Sequence, residues 1–497
     1  MPNVSFVRSD LRKAIKKYSI IGDCFDGEAQ VKSKKTAYLP MPNPEDQSEA
    51  NYARYASYIE RAVFYNVVKR TLNGLTGLLF VRTPEMVLPE DMKLLETNAD
   101  GSGSTLIQVA KLASRLTVGY GRCGLFIDMP DFGRDLTRAE LQDGIGIPSI
   151  KPYHPSKVIN WRTVIRGGKT ILSLVVLEET YVKSDDGFEV TFGKQWRVLR
   201  LVDLPVSDAS TVNVPENAGT YEVQLFRDNN KQKPIQVFQP KDANGDRLNE
   251  IPFMFVGSEN NTPDIDDAPM IDVATLNLGH YRNSADYEES VFIVGQPTPV
   301  FSGLTEQWVK DILKGVVRLG SRAAIPLPVN ASASLLQAGA NPEPLNAMKH
   351  KEAQMVAIGA NLIDTSRAPR TATETMIDDT NERSVLATCG DNVSAAMRFG
   401  LGWAAKFLGS VSTDIKFALN TEFDLVRLTA QERQQLVQEW MDEAISWKEV
   451  RENLRRGGIA KLSDEDARKD IKANPPPKPE PKGATVPNPN PNSNTGG

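Results

Sequence analysis

Apolar residues fall at helical spacing in some stretches of the chain and alternate at strand spacing in others, and the two patterns occupy separate regions. Tyr52, Tyr55, Ile59, Ala62, Val63 and Val67 predict one helix over 48–72. A second helix, over 105–118, leads into an apolar run at 124–128 with the character of a buried strand. From 150 to 256 the pattern shortens to strands, at 172–177, 196–202, 221–226 and 235–238, separated by Gly, Pro, Asn and Asp clusters. The Asn244-Gly245 pair, between one apolar run and another at 251–256, predicts a hairpin.

Past this β-rich insertion the helical period returns. Ile271, Ala274, Leu278, Tyr281 and Ala285 share one face of a helix over 269–290. Strands are predicted at 291–294, 300–301, 323–327 and 334–337 and a helix at 305–317, before a further helix over 345–363. Two helices thus bracket a module of about 50 residues, a size that rarely builds a sufficient core alone. Three Ser/Thr-x-x-Glu boxes, Thr371 to Glu374, Thr429 to Glu432 and Ser446 to Glu449, each open a helix by reciprocal capping. The first pattern runs to Leu408 and, unbroken, would span about 57 Å. Ile415, Phe417, Leu419 and Phe423 alternate as a strand, and Gly457-Gly458 ends the last capped helix. Residues 473–497 hold eight prolines among Asn and Gly, a composition that cannot bury a core and predicts disorder.

The chain has 497 residues, a length prior of about three domains. Its 58 Lys and Arg against 63 Asp and Glu give a net charge of −5, so any grip on nucleic acid has to be local or weak. The three cysteines, Cys24, Cys123 and Cys389, lie far apart without a paired motif, which argues against a disulfide framework or a cysteine-built zinc site and suits a reducing compartment. Charged residues from Arg8 to Lys17 interrupt the N-terminal apolar positions, so no secretory leader is expected. No apolar run approaches the roughly 20 residues of a spanning helix, and no membrane partner is expected.

The chemical motifs fail on context. Gly119 to Gly124 matches the GxGxxG string, but a helix precedes it and a strand follows, the reverse of a dinucleotide site. Gly168-Lys169-Thr170 has Thr163 where a phosphate loop needs glycine. Asp264, Asp266, Asp267 and Asp272 lack the glycine and glutamate of a calcium loop and read as a solvated helix entry. His154, His280 and His350 have no ligand-spaced neighbours, with His280 and His350 assigned surface or interface roles on the paired helices. No catalytic, cofactor or metal site is expected, and the protein is not read as an enzyme.

The element order, an α+β fold with a long C-terminal helix, resembles the portal proteins of tailed double-stranded DNA bacteriophages. Local strings that carry the resemblance are Tyr58-Ile59-Glu60-Arg61-Ala62-Val63-Phe64-Tyr65-Asn66, Thr71-Leu72-Asn73-Gly74-Leu75-Thr76-Gly77, Ala274-Thr275-Leu276-Asn277-Leu278-Gly279-His280-Tyr281-Arg282 and Gly295-Gln296-Pro297-Thr298-Pro299. The Thr371-Ala372-Thr373-Glu374 opening and the strand end at Asn420 to Asp424 add to it, so that the resemblance covers residues 48 to 460.

The resemblance implies an N-terminal arm (1–47), an αβ wing with its insertion (48–268) and a stem helix (269–290). A clip (291–344), a second stem helix (345–363) and a tunnel loop (364–370) would follow. The long helix and wing strand (371–428), a helical crown (429–472) and the tail complete the chain. It further implies a homo-oligomeric ring, typically of twelve subunits, at one capsid vertex of the virion, assembled in the host cytoplasm. Phage DNA would pass through it during packaging and ejection, with terminase, a head-tail adaptor and the major capsid protein as partners. Lys349, Lys351, Arg367 and Arg370 would make transient phosphate contacts in the channel, Lys349 and Lys351 being equally suited to intersubunit salt bridges. His280, Tyr281, Arg282 and His350 would belong to the stem. Another phage head component, such as a minor capsid or head-closure protein, stays open as the alternative.

Overall fold

A computed structural model describes residues 3–130, 133–134, 140, 145–204, 213–214, 218–296, 298–311, 327–336, 339, 341–363, 384–411, 414–423, 430–442, 444–456, 460 and 464–475. The chain divides into two compact units, residues 1–421 and 422–497.

The first unit opens with α1 (Ser9–Asp26) and the short α2 (Glu28–Ser33), then α3 (Glu49–Arg61) and α4 (Val67–Leu79). Strand β1 (Glu85–Val87) and a single turn, α5 (Leu94–Thr97), precede α6 (Leu106–Tyr120) and β2 (Arg122–Asp128). Every residue of β2 is buried, because both of its faces are covered. Cys123 and Leu125 join the core formed with α6 and with α10 (Val385–Leu408). On the opposite face Phe126 meets Tyr153, and the Asp128 carboxylate pairs with Lys151 at 3.0 Å and Arg197 at 3.7 Å. A strand covered on both sides needs apolar residues throughout, which is the run visible in the sequence.

Strand β2 is the centre of an antiparallel three-stranded sheet, between β3 (Ser149–Tyr153) and β10 (Phe253–Gly257). The insertion forms a second sheet of six strands. These are β4 (Val158–Arg166), β5 (Lys169–Asp185), β6 (Val190–Val202), β7 (Asn213–Val214), β8 (Thr220–Arg227) and β9 (Gln236–Phe238), in the order β7-β4-β5-β6-β8-β9. All its pairings are antiparallel except that of β7 with β4. The turn at Asn244-Gly245 forms, with Gly245 at φ +84° and the Asp242 amide donating to Asp246 O at 3.0 Å. Its flanking runs nevertheless do not pair: β9 joins the six-stranded sheet and β10 pairs with β2.

The chain then enters α7 (Ile271–Val294), β11 (Thr298–Ser302), α8 (Glu306–Asp311), β12 (Ser332–Leu336), α9 (Glu343–Asn361) and α10. Strand β13 (Lys416–Ala418) pairs with β1. Residues 291–294 continue the helix rather than forming a strand. The long helix starts at Val385, where Ser384 is extended and its hydroxyl accepts from the Ala387 amide at 3.2 Å, so an unbroken helix from 371 is excluded. The first capping box and Ala323 lie outside the described residues.

Within the expected N-terminal arm (1–47), Leu11, Ala14, Tyr18, Ile21 and Cys24 are buried, and the Arg8 amide donates to Ile159 O at 3.1 Å. One further expectation changes. The single helix over 48–72 is two helices, α3 and α4, separated at residues 62–66.

In the second unit, α11 (Ala430–Met441), α12 (Trp447–Arg456) and α13 (Asp464–Ala473) follow one another. The Ser446 box forms as predicted, with the Ser446 amide 2.6 Å from Glu449 Oε2 and the Glu449 amide 3.3 Å from Ser446 Oγ. Thr429, Gly457 and Gly458, and the tail from residue 476 onward, lie outside the described residues.

The GxGxxG string is a helix stop. Gly121 is left-handed at φ +76°, caps α6 through a 2.8 Å bond to Thr117 O, and presses on Asp267, whose carbonyl would stand 2.3 Å from an added Cβ. Gly121→Ala is therefore expected to cost about 2 kcal/mol or more. Gly74→Ala, inside α4 with nothing within 4 Å of the new methyl, is expected to gain about 0.5–1 kcal/mol. Urea unfolding midpoints check both, and equal stability of the two variants would contradict the assignment.

His154 caps the turn Pro155–Lys157 by accepting from the Ser156 amide at 3.2 Å, and its ring lies edge-on to Tyr120 at 4.4 Å. Burial, reinforced by the Lys157 charge, lowers its pKa from 6.5 to about 4. The unfolded chain takes up that proton first, so this share of stability is full above pH 6.5 and is lost as pH falls toward 4. His154→Asn should shrink the stability difference between neutral and mildly acid pH by about 2 kcal/mol in urea titrations; an unchanged difference would contradict it.

Candidate functional site

Helix α7 and the antiparallel α9 pack together and carry between them a module, residues 295–342, built on the β11–β12 hairpin. The near half of α7 is deeply set. Val273, Ala274, Asn277, Leu278, His280, Tyr281, Ser284 and Ala285 are buried against α1, α3, α4 and α9.

Polar side chains of α7 explain why α3 and α4 are two helices. Asn277 Oδ1 accepts from the Val67 amide at 3.1 Å and the Val68 amide at 3.4 Å, while its Nδ2 donates to Tyr65 O at 2.9 Å. Ser284 Oγ accepts from the Val63 amide at 3.0 Å. The backbone groups that a continuous helix would pair internally are thus satisfied from α7. Asn66 then caps α4 by accepting from the Lys69 amide at 2.9 Å.

The candidate stem residues separate by environment. Tyr281 is buried edge-on to Phe64 at 6.0 Å, and burial pushes its phenol up to about 12. His280 is also buried, with Nε2 3.1 Å from the Glu352 carboxylate of α9 and Nδ1 without a partner. Arg282 is exposed and donates to Tyr38 O at 2.8 Å, and His350 is exposed on α9. Lys351 donates to Asn283 Oδ1 at 3.1 Å and lies against Gly279, whereas Lys349 is exposed. Two positions apart on a helix, the two lysines point to different sides. Of the four channel candidates, Arg367 and Arg370 lie outside the described residues.

Beyond Ala285 the surroundings of α7 change. Glu289 holds Arg61 and, at 3.4 Å, Arg54 of α3, and the Arg61 guanidinium lies 4.3 Å over the Phe292 ring. Val291, Phe292 and Ile293 are exposed, as are Val300, Val329, Leu335 and Leu336 in the module and Val356 on α9. No described residue between 295 and 342 is buried.

Among the described residues no group of His, Cys, Asp and Glu is arranged to hold a metal, and no helix is long and apolar enough to cross a membrane. Burial pushes the thiols of Cys24, Cys123 and Cys389 up to about 12, so none is a ready nucleophile. The acidic run is used structurally: Asp266 accepts from the Glu259 amide at 2.8 Å and Asp267 pairs with Lys17 at 2.9 Å.

A family model described as "Domain of unknown function (DUF4055)" matches residues 269–408, from the start of α7 to the end of α10. Among solved structures, the chain is similar to one described as the neck of a native GTA particle computed with C12 symmetry, with 12% identity, 82% of this chain and 89% of that chain covered and a TM-score of 0.37. A second is described as the neck of an empty GTA particle computed with C6 symmetry, with 14% identity, 82% and 90% coverage and a TM-score of 0.38. A third is the virion of a native gene transfer agent particle, with 13% identity, 84% and 92% coverage and a TM-score of 0.37. No curated protein matches the chain.

Sequence reasoning missed Asn277 as a functional position in the fold, although a fully buried asparagine within an apolar helix face was its available signal. Asn277→Ala strands two amides and a carbonyl and is expected to cost about 2–4 kcal/mol. Lys349→Ala, at an exposed site, should stay within about 0.5 kcal/mol. Chemical denaturation of both variants checks the contrast, and a mild Asn277 effect would contradict it.

Proposed function

We propose that the chain is a subunit of a ring that forms the portal vertex of a tailed phage-like particle. The observation that carries this reading is the module at residues 295–342, which among its described residues holds no buried side chain and yet displays Val300, Val329, Leu335 and Leu336. A two-stranded hairpin is marginal by itself. Neighbouring copies, each offering the same surface, supply the burial it lacks, as a closed heterologous interface does.

In this reading α7 and α9 are the stem, residues 291–344 the clip and 364–370 the tunnel loop. The αβ body with α10 is the wing, and residues 429–472 are the crown. The ring conducts DNA during packaging and ejection and is a platform for terminase and a head-tail adaptor, inside a shell of major capsid protein. Its channel must let DNA slide, and a net charge of −5 per subunit avoids a strong static hold on phosphates. Lys349, Arg367 and Arg370 supply transient contacts. Lys351, engaged with Asn283, is less available than the exposed Lys349.

Light scattering combined with negative-stain electron microscopy of the purified protein tests the reading. A particle of about twelve subunit masses with a central hole is expected, and a monomer at every concentration and salt would overturn it. Leu335→Asp with Leu336→Asp should lower the assembled mass while leaving the unfolding midpoint of the subunit within about 0.5 kcal/mol, since both side chains are exposed within it.

A further inference from the structure

We infer that the groove between α4 and α6 binds consecutive phosphate groups of a nucleic-acid backbone. A cavity of about 440 Å³ lies between the two helices, lined by Asn73 and Thr76 of α4 and Gln108, Lys111, Leu112 and Arg115 of α6. Lys69 stands one turn before Asn73 on the same face of α4. Its ammonium and the Arg115 guanidinium each lie near the Phe25 ring, 5.5 Å and 5.7 Å from its centroid. Lys111 follows Arg115 at a distance of one helical turn, about 6 Å along the axis.

No carboxylate among the described residues forms an ion pair with Lys69, Lys111 or Arg115, although the chain carries an acidic excess and pairs many of its other cations. Asp26, which follows Phe25, acts on Tyr120 together with Arg115 and marks the acidic limit of that end.

Neutral donors complete the site. Gln108 uses its oxygen to accept from the Thr105 amide, which leaves its NH2 group to donate elsewhere. Thr76, 2% exposed, forms part of the wall with its hydroxyl shielded from solvent. Cations strung along a groove, rather than converging on one point, match a chain of phosphates better than a single ion. Side-chain amide donors such as that of Gln108 are among the other groups that hold a nucleic-acid backbone. Phosphate contacts carry no sequence information, so binding through Lys111 and Arg115 is independent of sequence and local, as the overall negative charge requires.

The test is fluorescence anisotropy of a short mixed-sequence DNA duplex with the full-length protein, across a salt series. Lys111→Glu with Arg115→Glu is expected to weaken binding by about tenfold or more and to reduce the log–log salt slope by about two. Lys169→Glu with Lys183→Glu, the same change of charge at exposed positions of the six-stranded sheet, should leave binding within about twofold. Lys111→Gln with Arg115→Gln, read beside circular dichroism, guards against loss of fold. Equal losses in groove and control variants, or no loss in either, would overturn the proposal. Complete displacement of the duplex by low-millimolar inorganic phosphate would also overturn it, in favour of a single-anion site. The groove does not depend on the ring: an assembled ring that fails to bind overturns only the groove, and a monomer that binds overturns only the ring.

Discussion

One helix is required to live in two environments, and much of the first unit follows from that. The near half of α7 is covered by α1, α3, α4 and α9, whereas its far end presents Val291, Phe292 and Ile293 to the surface. Full burial of an aliphatic or aromatic side chain contributes about 1.5–3 kcal/mol. The chain therefore forgoes several kilocalories at this end, and more in the hairpin beyond it. A surface of that kind in a folded subunit is unfinished until something covers it.

The buried half of α7 achieves its depth by being polar at selected points. Asn277 and Ser284 accept or return the hydrogen bonds of residues 63–68, so the chain can turn between α3 and α4 directly against the helix. Fully satisfied buried groups of this kind fix one arrangement, because every alternative packing strands them. They also tie the N-terminal helices to the helix that bears the module, fixing its mounting, while the described residues of the module itself are all at least partly exposed.

Elements whose cause is local were legible in the sequence. The capped start at Ser446, the helix over 105–118, the buried run of β2 and the pair α7 and α9 depend on neighbours a few residues away. The break at 62–66 was not legible, because its hydrogen-bond partners lie on α7, some two hundred residues later. For the same reason the turn at Asn244-Gly245 could be foreseen and its strand partners could not, since β10 is claimed by β2. Residues 291–294 suit a strand by propensity, yet the helix runs through Val294, with the Arg61 guanidinium over the Phe292 ring. At the candidate site, His280, Tyr281 and Arg282 were correctly placed on one of the paired helices, but their separation into buried and exposed roles needed three dimensions. The α4–α6 groove was invisible for a related reason: Lys69, Lys111 and Arg115 are unremarkable surface cations until antiparallel packing aligns them.

The central claim is that β11 and β12 obtain from other copies the burial that they lack within their own subunit. Hydrogen–deuterium exchange of the β11 and β12 amides, followed as the full-length protein is diluted from assembly to subunit, tests it most directly. Protection that is strong in the assembled protein and disappears on dissociation, while β2 and α10 remain protected, is the predicted result. Protection of β11 and β12 that is the same in both states would contradict the account.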